Sequence, residues 1–143
     1  MVGLIVTGHG NFATGLLSSL KLIAGEQENL IGVDFTVDDN TETLEVNLRN
    51  AINTLGEEIV VLSDLAGGSP FKVSVVLSQQ LQDKKIRVIS GTNLGMILEV
   101  SLCREGMAAD ELVDFAINSG KSAIKAFEIK VEEETEEDEF DGI

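Results

Sequence analysis

The chain has no Trp and no Tyr, one Pro, one Cys and one His. Each scarcity removes a class of function. Without Trp or Tyr, and with aromatic residues at 4%, the core must be aliphatic. Both a base-stacking platform for nucleic acid and a flavin site are then disfavoured. A single cysteine, Cys103, rules out an internal disulfide framework. A single histidine, His9, rules out a Cys/His zinc cluster, so no metal is expected. Basic residues are few as well: 10 against 25 acidic, for a net charge of −15. Bare nucleic acid and anionic membrane surfaces are poor partners for such a chain. No apolar run approaches the roughly 20 residues that span a bilayer. The N-terminus has no basic segment or cleavage site of a signal peptide. The expected location is cytoplasmic.

What remains suits one domain. The length is 143 residues, with 43% hydrophobic and 24% charged, close to an ordinary globular composition. Residues 1–131 read as the folded domain. Residues 132–143 hold Glu132, Glu133, Glu134, Glu136, Glu137, Asp138, Glu139 and Asp141 and no base. That stretch is expected to be a solvated, disordered acidic tail. The body remains acidic without it, which favours a basic protein partner.

Four β-branched runs, at 2–7, 30–35, 59–64 and 86–91, are nearly continuous in apolar character. Strands buried on both faces look like this. Between and after them, residues 12–24, 40–55, 70–81, 93–104 and 110–126 read as helices, the first three with apolar residues at helical spacing. Gly25 and Gly56 stand where helix-ending glycines belong. Alternation of strand and helix predicts an α/β fold with right-handed crossovers, doubly wound around a mainly parallel sheet. Residues 127–131 form an isolated fifth strand candidate.

Ligands of such sheets bind beyond the carboxyl ends of the strands, where the strand order reverses. In the order 2-1-3-4, strands 1 and 3 are neighbours. Their ends carry Thr7-Gly8-His9-Gly10-Asn11 and Ser63-Asp64-Leu65-Ala66-Gly67-Gly68-Ser69-Pro70. His9 and Asp64 are thereby expected in one crevice. Neutral imidazole is a nucleophile near neutral pH, and a carboxylate on one ring nitrogen fixes the tautomer and leaves the other free. Gly8 and Gly10 would let another molecule approach. Gly67 and Gly68 would expose backbone N–H groups. Ser69 as N-cap and Pro70 at the first helical position would open a helix able to hold an anion. Phosphoryl chemistry fits this set, with Gly68 and Ser69 binding phosphate. No Gly-x-x-x-x-Gly-Lys-Ser/Thr loop is present, and no cofactor is expected.

Asn93 could line the crevice or cap its helix, and Lys72 could meet phosphate, partner or only solvent. Met96, Met107 and Cys103 read as packing residues. Lys84, Lys85 and Arg87 form a small basic edge. A Ser69/His9/Asp64 hydrolase has the right residue types but lacks the Gly-x-Ser-x-Gly elbow. A histidine phosphatase would need arginines and a second histidine.

Three segments carry a family resemblance: Leu4-Ile-Val-Thr-Gly-His-Gly10, Asp64-Leu-Ala-Gly-Gly-Ser-Pro-Phe71 and Gly91-Thr-Asn-Leu-Gly-Met96. In this order and spacing, the chain from about residue 1 to 130 resembles the enzyme IIA domains of the mannose family of the bacterial sugar phosphotransferase system. The resemblance implies a doubly wound sheet with a C-terminal antiparallel strand exchanged in a homodimer. It implies a phosphorylated histidine at His9, its orienting aspartate at Asp64, and the serine of the Gly-Gly-Ser-Pro turn at Ser69. Phosphate would come from the phosphocarrier HPr and pass to a separate enzyme IIB, with membrane subunits IIC and IID moving the sugar. A related subunit of dihydroxyacetone phosphorylation shares the fold. Lys72 stands where many relatives have Asn, and Gly95 where Pro is frequent.

Overall fold

A computed structural model describes residues 1–130. Among them lie β1 (Gly3–His9), α1 (Phe12–Ala24), β2 (Leu30–Phe35), α2 (Thr41–Asn53), β3 (Glu58–Ser63), α3 (Ser69–Gln80), β4 (Lys85–Ile89), α4 (Leu94–Cys103) and α5 (Ala109–Ser122). The strands form one parallel sheet in the order β2-β1-β3-β4, as the alternation of elements predicts.

Strand parity builds the two layers. Leu4, Val6, Val60 and Leu62 face α1, α4 and α5, where Leu20, Ile97, Val100 and Leu112 are buried. Ile5, Ile59 and Val61 face α2 and α3, where Leu44, Leu48, Ile52 and Leu77 are buried. Helices on both faces explain why these strands lack the polar alternation of half-exposed ones. Fully burying one such aliphatic side chain contributes about 1.5–3 kcal/mol.

The helix ends depart from expectation in instructive ways. Gly25 closes α1 with φ 84° and donates its N–H to Lys21 O at 2.9 Å. Gly56 plays no such part. The ammonium of Lys84 closes α2 instead, donating to the carbonyls of Ile52, Leu55 and Gly56 at 3.1, 2.7 and 3.1 Å. A cation there satisfies orphan carbonyls and opposes the helix dipole. The basic edge is thus divided, for Lys85 and Arg87 pair with Asp110. Cys103 is exposed rather than packed.

α5 stops at Ser122, four residues before the expected 126. Asn93 Nδ2 donates to the carbonyl of Gly120 at 3.0 Å, the group a continuing helix would offer to the N–H of Ile124. That N–H turns to Lys121 O at 3.3 Å. Residues 124–130 then run without regular structure, with Ile124 and Ile129 about four-fifths exposed. No strand forms over 127–130 in the chain alone. Val131 and the acidic stretch 132–143 lie outside the described residues.

At the amino ends of the strands, Arg104 is 1% exposed. Its guanidinium donates to Val2 O and Asn29 O, at 2.9 and 3.0 Å, and to Glu28 O. This ties the end of α4 to the sheet.

Candidate active site

β1 and β3 end side by side, with Thr7 opposite Ser63. The β1–β3 ladder stops there, and Asp64 takes its next rungs. The Asp64 N–H donates to Thr7 O at 3.1 Å, and the His9 N–H donates to Asp64 Oδ2 at 2.9 Å. The same oxygen lies 2.7 Å from His9 Nδ1. The Leu65 N–H donates to Asp64 Oδ1 at 2.8 Å. His9 is therefore the last residue of the strand rather than part of a free loop, and its backbone N–H and its ring are both held by one carboxylate oxygen.

Burial pushes the Asp64 carboxyl up and is the largest single influence. The His9 N–H, the His9 ring and the Leu65 N–H together outweigh it and hold the carboxyl below its ordinary value. Asp64 is thus ionised and can only accept, so Nδ1 carries the proton and donates. Nε2 keeps its lone pair and makes no hydrogen bond among the described residues. The His9 side chain is 47% exposed and that of Asp64 only 9%. The carboxylate is sheltered while the imidazole is nearly half exposed.

The glycines serve distinct purposes. A Cβ on Gly8 would lie 2.6 Å from the Phe12 ring and 2.9 Å from Asp64 Cβ. Its bareness admits internal neighbours rather than a visiting molecule. Gly10 and Gly67 have φ of 61° and 86° with open space around them, so backbone conformation requires glycine there. A Cβ on Gly68 would lie 2.6 Å from His9 Cε1. Gly68 is the seat of the imidazole as well as a backbone donor.

Gly68 is also the N-cap of α3, with extended backbone, and Ser69 is the first helical residue. This corrects the expected cap by one position and frees a side chain. Ser69 Oγ makes no hydrogen bond among the described residues, to backbone or to His9. The N–H groups of Gly68, Ser69 and Phe71 likewise find no acceptor there. A helix start with unspent N–H groups and the partial positive charge of its dipole suits an anion.

Asn93 caps α4, its Oδ1 accepting from Met96 N at 2.9 Å while Nδ2 holds Gly120. Lys72 is exposed, one turn into α3, with no side-chain partner among the described residues. Sequence reasoning missed three contributors. Phe35, opposite His9 in the β1–β2 register, meets the imidazole edge-to-face at 5.8 Å between centroids. Leu65 comes within 3.7 Å of the same Gly68 Cβ position that meets His9. Thr7, two residues before His9, is fully buried with its hydroxyl unpartnered among the described residues. Register would have flagged Phe35; the other two stand in the segments that carry the family resemblance, but nothing in the sequence gives them a part in the site. No group of metal-ligating residues forms among the described residues.

Comparison with known proteins bears directly on this arrangement. Residues 3–117 match the family model for the PTS system fructose IIA component. The chain belongs to the mannose family of phosphotransferase-system IIA domains. It is 33% identical over 116 residues to the fructose-specific EIIA component of Bacillus subtilis, covering 80% of this chain and 78% of that protein. The mannose-specific EIIAB component of Escherichia coli is 33% identical over 133 residues, 90% of this chain but 40% of that longer protein. The crystal structure of an EIIA component from Streptococcus agalactiae superposes with a TM-score of 0.84 at 43% identity, covering 88% of this chain and 97% of that one. No helix among the described residues is long and apolar enough to cross a membrane.

Proposed function

We propose that this IIA domain is a phosphocarrier that takes phosphate from HPr on His9 and hands it to an enzyme IIB. The observation that carries the reading is the single contact of 2.7 Å from His9 Nδ1 to Asp64, which leaves Nε2 with its lone pair unspent. In the accepting step, Nε2 attacks phosphorus as the donor's N–P bond breaks, and the donor nitrogen keeps that electron pair. The His9 ring then carries positive charge, which the Asp64 carboxylate offsets without taking the Nδ1 proton. In this reading the unspent N–H groups of Gly68 and Ser69 and the Ser69 hydroxyl receive the phosphoryl oxygens. Fixed donors of this kind need no reorganisation during transfer. The second step reverses the first, with the acceptor's nucleophile attacking phosphorus and Nε2 leaving. Neither step requires a metal or nucleotide.

A Ser69 hydrolase is less well supported, because Ser69 Oγ makes no hydrogen bond to the imidazole that would have to activate it. The wider reading is a cytoplasmic component working with IIC and IID membrane subunits. It is also a homodimer in which residues 127–131 pair with a second copy. The exposed Ile124 and Ile129 support that pairing, since a lone strand gains little outside a sheet. Sedimentation at micromolar concentration giving only monomer would remove the homodimer.

The central test is incubation with phosphoenolpyruvate, enzyme I and HPr. One acid-labile phosphate on His9, passed on to an added IIB protein, is expected. Label on another residue refutes the mechanism. Transfer to a dihydroxyacetone kinase in place of IIB would assign the chain to that branch.

A further inference from the structure

The two outer strands of the sheet carry different side chains. β4 carries Lys85 and Arg87, both tied to Asp110 of α5. β2 has Gly32 at its centre and no Lys or Arg along Leu30–Phe35. The ends of the β1–β2 ladder fix which groups are spare. Leu4 N donates to Asn29 O and Gly10 N to Phe35 O, at 2.9 and 2.7 Å. In a parallel ladder, alternate residues bond to the same neighbour. The odd-numbered residues therefore turn to β1, and Leu30, Gly32 and Asp34 turn their N–H and C=O outward. Those groups have no backbone partner among the described residues.

A groove of about 520 Å³ runs along this edge between α1 and α2. Thr14 stands on one wall and Asn47 and Asn50 on the other; Gly32 and Asp34 form part of the floor, and Asp39 lies at one end. Asn47 and Asn50, three apart on one helix face, are exposed and their amides have no partner among the described residues. Asp34 holds Thr14 through its N–H and hydroxyl, at 3.0 and 2.6 Å, and Asp39 accepts from Thr36 and Thr43. Among the described residues, no cation pairs with either carboxylate there and no Lys or Arg lines the groove. The place offers spare ladder groups, free amides that can bond to a peptide backbone, and uncompensated negative charge.

We propose that the β2 edge is a docking site for an extended, cationic segment of a partner protein, added to the sheet as a further strand. Backbone pairing supplies register, and the lysines or arginines of the segment meet Asp34 and Asp39. This surface is argued from the edge alone and does not depend on the phosphocarrier reading.

The test uses the full chain, labelled with ¹⁵N, and three soluble six-residue peptides. One alternates Lys and Thr, one alternates Glu and Thr, and one is the Lys peptide with alternate backbone nitrogens methylated. The Lys peptide is expected to bind and to slow amide exchange at Gly32 and Asp34, with the other two about tenfold weaker or worse. Asn47→Lys with Asn50→Lys should weaken the Lys peptide about tenfold, while phosphate uptake on His9 is unaltered. Several outcomes overturn the proposal: no binding at millimolar peptide, equal binding of the Glu peptide, undiminished binding of the methylated peptide, or protection away from β2. Protection of Gly32 and Asp34 without peptide, in step with self-association, would make a second copy the occupant and also overturn it.

Discussion

The two ends of the sheet each hold a charged side chain that bonds to backbone at the strand ends, and they put it to opposite use. At the carboxyl end, Asp64 accepts from two backbone N–H groups and from the His9 ring. The imidazole it holds is nearly half exposed and has a ring nitrogen to spare. At the amino end, the Arg104 guanidinium gives its terminal nitrogens to three carbonyls and is buried with them. Burial pulls the Arg104 pKa down, with Glu105 and Glu28 opposing, yet an arginine stays charged. Its Nε is left over but sealed from solvent, without a partner among the described residues. The two ends differ in what is left over: a ring nitrogen on a half-exposed imidazole at one, and a sealed Nε at the other.

The largest effect expected from breaking this contrast is at His9. His9→Gln should abolish phosphate uptake while costing about 1 kcal/mol of stability, the net worth of the ring hydrogen bond to Asp64. Mass spectrometry after incubation with the donors, paired with a urea melt, reads both. Residual labelling of the variant would sink the assignment of the nucleophile.

At the other end the expectation is reversed. Arg104→Leu leaves the Val2 and Glu28 carbonyls without their donor, while Asn29 O keeps the Leu4 N–H, at a cost of about 1–3 kcal/mol for each buried group left unsatisfied. A total of about 3 kcal/mol allows for water reaching some of them, and would lower the melting temperature by about 10 °C. Phosphate uptake at 25 °C by the folded fraction should be unchanged. A variant as stable as the parent would mean that the guanidinium is not the tie it looks to be.

A smaller effect tests the seat of the ring. Gly68→Ala places a methyl group 2.6 Å from His9 Cε1, so ring or helix start must shift by several tenths of an ångström. Misplacement of a reacting group by about 1 Å can cost about 100-fold, and a loss of about tenfold is expected here. The fold should barely notice, because Gly68 has φ −80° and ψ 167°, a conformation open to alanine. Single-turnover transfer separates this from binding. An unaffected rate would show that the ring has room to yield.

Much of this was legible beforehand for identifiable reasons. Buried parallel strands write themselves as apolar runs, and β1 to β4 fell within a residue or two of their expected places. The meeting of His9 with Asp64 followed from strand order alone. What escaped depends on competition among polar groups. The position of Asn93 did not reveal that its amide would take the Gly120 carbonyl and end α5 early. Lys84 looked like surface charge until α2 was found to end beneath it. Gly68 took the cap position expected of Ser69, because both residue types are favoured there. Arg104 gave no warning, since a buried arginine held by carbonyls has no pattern in one dimension.

The subtlest way to sharpen the comparison is acid. The folded-state pKa of Asp64 is lowered from 3.8, so its ionised form is favoured by folding. The stability this contributes is fully present above the unfolded pKa and is lost as pH falls through the lower folded value. Arg104 contributes no such dependence, because it does not titrate in that range. Asp39 and Asp110 also have lowered pKa values, so the acid response of the parent alone would mix several groups. The difference in urea midpoint between the parent and Asp64→Asn cancels those shared terms. Between pH 5 and about pH 4 that difference should hold steady, and below it the difference should shrink as the parent loses what the variant never had. The same experiment on Arg104→Leu should show a difference that does not move across the window. If the Asp64→Asn difference stays constant down to pH 2, the carboxylate is not held by its three N–H donors in the way the geometry requires.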